Sequence, residues 1–136
     1  MIVADTGAIL ALVDADDKHH AALRDLFERD PDWLLPWAIL PEVDYLLAAH
    51  VGTESELAFV RDLAEGRYVV DAGGEGDFAR AHELCTRYRD LRLGLVDGIV
   101  AAVSERVGAK AIATLDLRHF AAIDIHGSPR LFPRDL

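Results

Sequence analysis

Cysteine is almost missing from the 136-residue chain, and its one thiol, Cys85, excludes an intrachain disulfide framework and any cysteine-based zinc cluster. A reducing compartment suits it. No apolar run approaches the roughly 20 residues that a membrane-spanning helix needs, and Asp5 interrupts the apolar start before a signal-peptide core can form. The expectation is a cytoplasmic protein with no membrane partner. Basic charge is also scarce: 14 Lys and Arg against 24 Asp and Glu leave a formal charge of -10, which excludes a non-specific basic coat for duplex DNA. It does not exclude chemistry on nucleic acid. Carboxylates gathered around a divalent cation count as negative in the total, while the loaded site presents far less charge. A glycine cradle for phosphate is absent too, since Gly73, Gly74 and Gly76 come without a Lys-Ser/Thr pair or a GxGxxG spacing.

What is present is 51% hydrophobic residues, enough to bury a core in one domain spanning residues 1–136. Met1 to Ala4 reads as a short strand, and the aliphatic Ala8 to Val13 as a buried helix directly behind it. Lys18 to Arg29 repeats its apolar residues at helical spacing, Trp33 to Leu35 is a second strand closed by Pro36, and Ala38 to Val51 is a helix with Pro41 in its first turn. Thr53 and Glu56 form a capping box for a helix whose buried stripe is Leu57, Val60, Leu63 and Ala64. Tyr68 to Val70, Ala111 to Thr114 and Arg130 to Phe132 supply three more strands, with helices over Phe78 to Tyr88 and around Ile99, Val100, Val103 and Val107. Strands alternating with helix pairs predict an α/β fold with a mainly parallel sheet.

In such a sheet, ligand sites form beyond the carboxyl ends of the strands. Asp5 ends the first strand and Asp116 follows the fourth, while Glu42 and Asp97 stand near the starts of helices that βα connections bring to the same edge. Each acid has an ordinary reading. Asp97 and Asp5 are candidates for helix caps, Glu42 for a helix-dipole residue, and Asp116 for a loop acid paired with Arg118. Four acids converging on one edge suit a hard, oxygen-seeking cation such as Mg²⁺ or Mn²⁺. If they pack together, their like charges repel, and at least one should retain its proton to higher pH than an isolated carboxyl.

The stretches Met1-Ile-Val-Ala-Asp5-Thr6-Gly7, Leu40-Pro41-Glu42-Val43, Leu95-Val96-Asp97-Gly98-Ile99-Val100 and Ala113-Thr114-Leu115-Asp116-Leu-Arg-His119-Phe120 resemble, in order, the motifs of PIN-domain ribonucleases, closest to the VapC-type toxins of toxin–antitoxin pairs. The resemblance runs nearly end to end. It implies a three-layer α/β/α domain in which Asp5, Glu42, Asp97 and Asp116 hold one or two Mg²⁺ or Mn²⁺ ions, supported by Thr6 and Thr114. It further implies an endoribonuclease that cuts structured tRNA or rRNA with metal-activated water, leaving a 5′-phosphate and a 3′-hydroxyl. A VapB-type antitoxin and a homodimer are implied as partners. Two features depart from the family: Gly7 stands where relatives often have Ser, and Leu117 and Arg118 follow Asp116 where some relatives have a further acid.

Arg87, Arg89, Arg92 and Arg118 approach the acidic motifs in sequence and are candidates for gripping flanking phosphates. Trp33, Trp37, Tyr45 and Leu46 offer apolar side chains for a subunit interface. His19 and His20, about 100° apart on a helix, make a poor metal pair. Two other functions use related features. A phosphoacceptor receiver domain needs an acceptor Asp after its central strand and a Lys after its last, neither of which fits here, and a PIN-like binding module without catalysis leaves four intact acids unexplained.

Overall fold

The computed structural model describes all residues, 1–136. Five short strands form one sheet: β1 (Ile2–Ala4), β2 (Trp33–Pro36), β3 (Val69–Asp71), β4 (Ala111–Ala113) and β5 (Arg130–Phe132). Their spatial order is β3-β2-β1-β4-β5 and every pairing is parallel. Ile2, Val3, Ala4, Ala111, Ile112 and Ala113 are all fully buried, as central parallel strands covered on both faces require.

Seven helices cover the sheet: α1 (Thr6–Val13), α2 (His20–Arg29), α3 (Leu40–His50), α4 (Thr53–Ala64), α5 (Asp77–Arg87), α6 (Leu95–Val107) and α7 (Leu117–Phe120). The chain winds outward from β1 through β2 to β3, then crosses back to β4 and β5. Right-handed crossovers in opposite directions put α1 to α4 on one face and α5 to α7 on the other, the expected three-layer α/β/α arrangement. The strand order reverses between β1 and β4, and the crevice at their carboxyl ends is where this architecture places a ligand. No helix is long and apolar enough to cross a membrane.

Two local expectations fail on α4. Its N-cap is Gly52, at a φ of 136° that glycine alone adopts readily, and no side chain caps the helix, so Thr53 and Glu56 form no capping box. The helix is also rotated from the expected stripe. Phe59 is the buried anchor, packed on Tyr68 with ring centroids 6.0 Å apart and with Leu63 partly buried beside the same core. Leu57 and Val60 are consequently 55% and 46% exposed, and Ala64 also faces outward. A single aromatic ring fills the space under this outer helix and fixes which face turns inward.

Smaller differences lie at element ends. Tyr68 precedes β3, Thr114 lies just past β4, and a 3-10 turn over Trp37–Ile39 precedes α3. The one-turn helix α7 behind Asp116 is too short for periodicity to reveal. Trp33 and Leu47 are core residues, whereas Tyr45 is 69% and Trp37 39% exposed. Partly exposed ion pairs fasten the α5 side: Arg106 reaches Asp71 at 2.6 Å and Asp77 at 3.0 Å, and Arg80 reaches Glu105 at 2.7 Å.

Candidate active site

Asp5 leaves β1 with its backbone N–H donating to the Ala113 carbonyl of β4 at 2.9 Å, so it sits at the point where strand order reverses. It is also the N-cap of α1: Oδ1 accepts from the Thr6 N–H at 2.8 Å. Capping and site formation coincide in this residue. Thr114, fully buried just past β4, donates from Oγ1 to Asp5 Oδ2 at 2.9 Å and accepts from the Asp116 N–H at 3.0 Å.

Asp97 is not a cap. Gly94 holds that position, and Asp97 lies in the first turn of α6. The next residue, Gly98, explains how α6 comes so close to α5: a Cβ there would stand 3.0 Å from Ala81 Cβ and 3.2 Å from Ala81 Cα. Asp116 caps α7 by accepting from the His119 N–H at 3.1 Å, and its close side-chain contact is with His119 Nδ1 at 2.9 Å, not with Arg118. Glu42 stands exposed in the first turn of α3.

Asp5, Thr6, Glu42, Asp97 and Asp116 line one open cavity of about 490 Å³, together with Gly7, Leu10, Leu46 and Leu115. All four sequence-derived acids thus meet, although unequally. Asp5 is buried, Asp97 and Asp116 are partly buried, and Glu42 forms the rim. Burial, more than any neighbouring charge, pushes Asp5 up from 3.8 to about 6; Thr114 and the Thr6 N–H oppose this, and the Asp97 and Asp116 charges add to it. Burial likewise raises Asp97 against the opposing influence of His119. A retained proton was the expected outcome, but desolvation is its first cause and like-charge repulsion a lesser one.

His119 was not singled out from sequence. Its Nδ1 lies 3.0 Å from Asp97 Oδ2 and 2.9 Å from Asp116 Oδ2, and its Nε2 lies 2.9 Å from the Leu91 carbonyl. The available signal was its spacing, three residues beyond an acid at a strand end, which places both groups on one side of a helical turn. The candidate phosphate contacts differ from the acids. Arg87, Arg89, Arg92 and Arg118 are exposed, form no ion pair and do not line the acidic cavity. Arg87 lies over the Tyr88 ring at 5.4 Å, and Arg89 and Arg92 lie in and just after the 3-10 turn that carries Leu91.

The residues fit a divalent cation. Asp97, Asp116 and His119 bring ligand atoms within 4.8 Å of one another, and Asp5 adds a buried carboxylate to the same wall. Thr6 Oγ1, in a residue only 5% exposed, has no hydrogen-bond partner within the protein although it belongs to a residue of this cavity. Buried hydroxyls are ordinarily satisfied, so this one is available to a ligand or its water.

A family model described as PIN domain matches residues 2–125. Ribonuclease VapC26 of Mycobacterium tuberculosis is 35% identical over 131 residues, covering 95% of this chain and 96% of that protein. The crystal structure of M. tuberculosis VapC20, described as a sarcin-ricin loop cleaving toxin, superposes with a TM-score of 0.76 at 22% identity, over 85% of this chain and 90% of that one. FitAcB from Neisseria gonorrhoeae superposes with a TM-score of 0.62 at 19% identity, covering 97% and 96% of the two chains. These two structures extend the likeness of fold.

Proposed function

The chain belongs to the PIN-domain family as a VapC-type toxin ribonuclease, and on that ground we propose that it hydrolyses structured RNA at a divalent-metal centre formed by Asp5, Asp97 and Asp116, with Glu42 at the rim. The observation that carries this reading is the convergence of the four acids on one cavity at the carboxyl edge of the sheet. A divalent cation held by these carboxylates would supply Lewis-acid polarisation of a phosphate and a lowered pKa for its bound water. The protein's own part is positioning. Thr114 and the Thr6 N–H orient the Asp5 carboxylate, the first turn of α6 presents that of Asp97 beside His119, and the helix cap orients that of Asp116. Glu42, free of any ion pair at the rim, is placed to orient water or accept a proton.

Arg87, Arg89, Arg92 and Arg118 contact phosphates flanking the cut, and their lack of carboxylate partners in so acidic a chain supports that role. An antitoxin of VapB type is the protein partner. One domain covers residues 1–136, and a homodimer forms through the region from Trp33 to Leu47, where Trp37 and Tyr45 are exposed. Light scattering at micromolar concentration should give twice the 14.9 kDa chain mass. A monomer contradicts the dimer alone.

Growth of cells expressing the chain without an antitoxin tests the function. Arrest with new RNA 5′-phosphate ends supports it, and normal growth at high soluble expression overturns the toxin role.

A further inference from the structure

We propose that His119 is itself a metal ligand, coordinating through Nδ1 beside Asp97 and Asp116, and that this nitrogen makes the site prefer Mn²⁺ over Mg²⁺. The inference rests on the metal-dependent reading above and names a ligand outside the four acids. Its first support is the orientation of the ring. Nε2 lies 2.9 Å from the Leu91 carbonyl, which holds the ring so that Nδ1 is the nitrogen facing Asp97 and Asp116. A histidine that binds metal through one nitrogen ordinarily donates from the other to a carbonyl or carboxylate, and Leu91 occupies that supporting position.

The second support is spacing. Nδ1 is 3.0 Å from Asp97 Oδ2 and 2.9 Å from Asp116 Oδ2. In an octahedral site with bonds of about 2.1 Å, neighbouring ligand atoms lie about 3.0 Å apart, so Nδ1 already has the spacing of an adjacent ligand to each of the two carboxylate oxygens. Without a cation, the same approach leaves Nδ1 shared between two carboxylates. The third support is independent of the ring: the buried, partnerless Thr6 hydroxyl belongs to the cavity that Asp97 and Asp116 line, where a hydrated cation would give it a partner.

The geometry has a local cause. Asp116 caps α7, and the helical turn brings His119 three residues later onto the capping carboxylate, while the first turn of α6 presents Asp97 from the other side. Mg²⁺ prefers an all-oxygen shell and gains little from imidazole, whereas Mn²⁺ accepts mixed nitrogen and oxygen ligands.

Pulsed electron paramagnetic resonance of the full chain loaded with Mn²⁺ tests the bond directly. The expected echo shows nitrogen modulation from a coordinated imidazole, which changes when the wild-type protein carries ¹⁵N-histidine and disappears in His119→Gln. The labelled wild type keeps the test valid even if the variant folds poorly. Calorimetry should give Mn²⁺ binding at least tenfold tighter than Mg²⁺ in the wild type, with the ratio reduced severalfold in His119→Gln. Bound Mn²⁺ with no histidine nitrogen modulation overturns the proposal while leaving the metal-dependent reading intact. Modulation that persists unchanged in a folded His119→Gln protein assigns it to another histidine and also overturns the proposal. Absence of Mn²⁺ binding together with RNA cleavage in EDTA overturns both.

Discussion

Thr114 Oγ1 donates to Asp5 Oδ2 at 2.9 Å, joining the carboxyl ends of β1 and β4 across 109 positions of sequence. The same oxygen accepts from the Asp116 N–H, so one buried hydroxyl sets two of the four acids. Thr114→Val should leave both groups without this partner, destabilising the protein by about 1–3 kcal/mol and weakening Mn²⁺ binding. Thr114→Ser should retain most of both properties. Denaturant melts and calorimetric titration of the two variants check this.

Asp5 gives the metal-free protein a defined pH dependence. Its folded pKa of about 6 lies above its ordinary 3.8, so the folded state holds the proton more tightly. Burial of Asp5 is therefore tolerated best below pH 3.8; its contribution to stability falls as pH rises toward 6 and stays at its lowest beyond. In EDTA, Asp5→Asn should be more stable than wild type at pH 7, by about 1–3 kcal/mol, with the difference shrinking toward pH 4. Saturating Mn²⁺ should reverse the order at pH 7. Urea melts across this range measure the crossing.

Gly98→Ala sets helix propensity against packing. Alanine favours a helix interior by up to about 1 kcal/mol, but the added Cβ meets Ala81 at 3.0 Å and its Cα at 3.2 Å. Because backbone is among the opposing atoms, α6 must move from α5, and Asp97 moves with it. A net loss of about 1–3 kcal/mol and a fall in cleavage are expected from thermal melts and RNA assays.

The strands and the shared edge of the four acids were legible in sequence because each depends on local signals: aliphatic runs bounded by turn residues, with Asp5 and Asp116 behind strands and Glu42 and Asp97 in the first turns of helices. Topology then does the converging, which is why Asp5 and Asp116 could be assigned to one edge without any contact being known. The face of α4 was not legible. Leu57, Val60, Leu63 and Ala64 form a plausible apolar stripe, and only the seating of Phe59 against Tyr68 turns Leu57 and Val60 outward. His119 escaped for another reason: only its spacing from Asp116 is local, while its other partners, Asp97 and the Leu91 carbonyl, are 22 and 28 positions away, and no periodicity encodes such contacts.

The Arg106 network should make its own mark on acid stability. Its hydrogen bonds hold the Asp71 carboxyl below the usual range, so this contribution is present above the ordinary Asp pKa and is lost as pH falls through the lowered value. Arg106→Met should therefore destabilise most near neutral pH, by roughly 1 kcal/mol, and least once pH has fallen through the lowered Asp71 value. RNA cleavage per folded molecule should stay close to wild type, since Arg106 lies outside the acidic cavity. Paired pH series of denaturation and cleavage separate the two effects.

The most direct measurement compares purified wild type and Asp97→Asn on a structured RNA, with Mn²⁺ or with EDTA, alongside their melting temperatures in EDTA. Asparagine keeps the shape of the side chain while removing the charge. The account predicts cleavage by the wild type only with Mn²⁺, 5′-phosphate product ends, and a rate for Asp97→Asn lower by about two orders of magnitude or more, with a melting temperature equal to or above wild type. Cleavage in EDTA, or an Asp97→Asn protein that cuts at the wild-type rate, would contradict it.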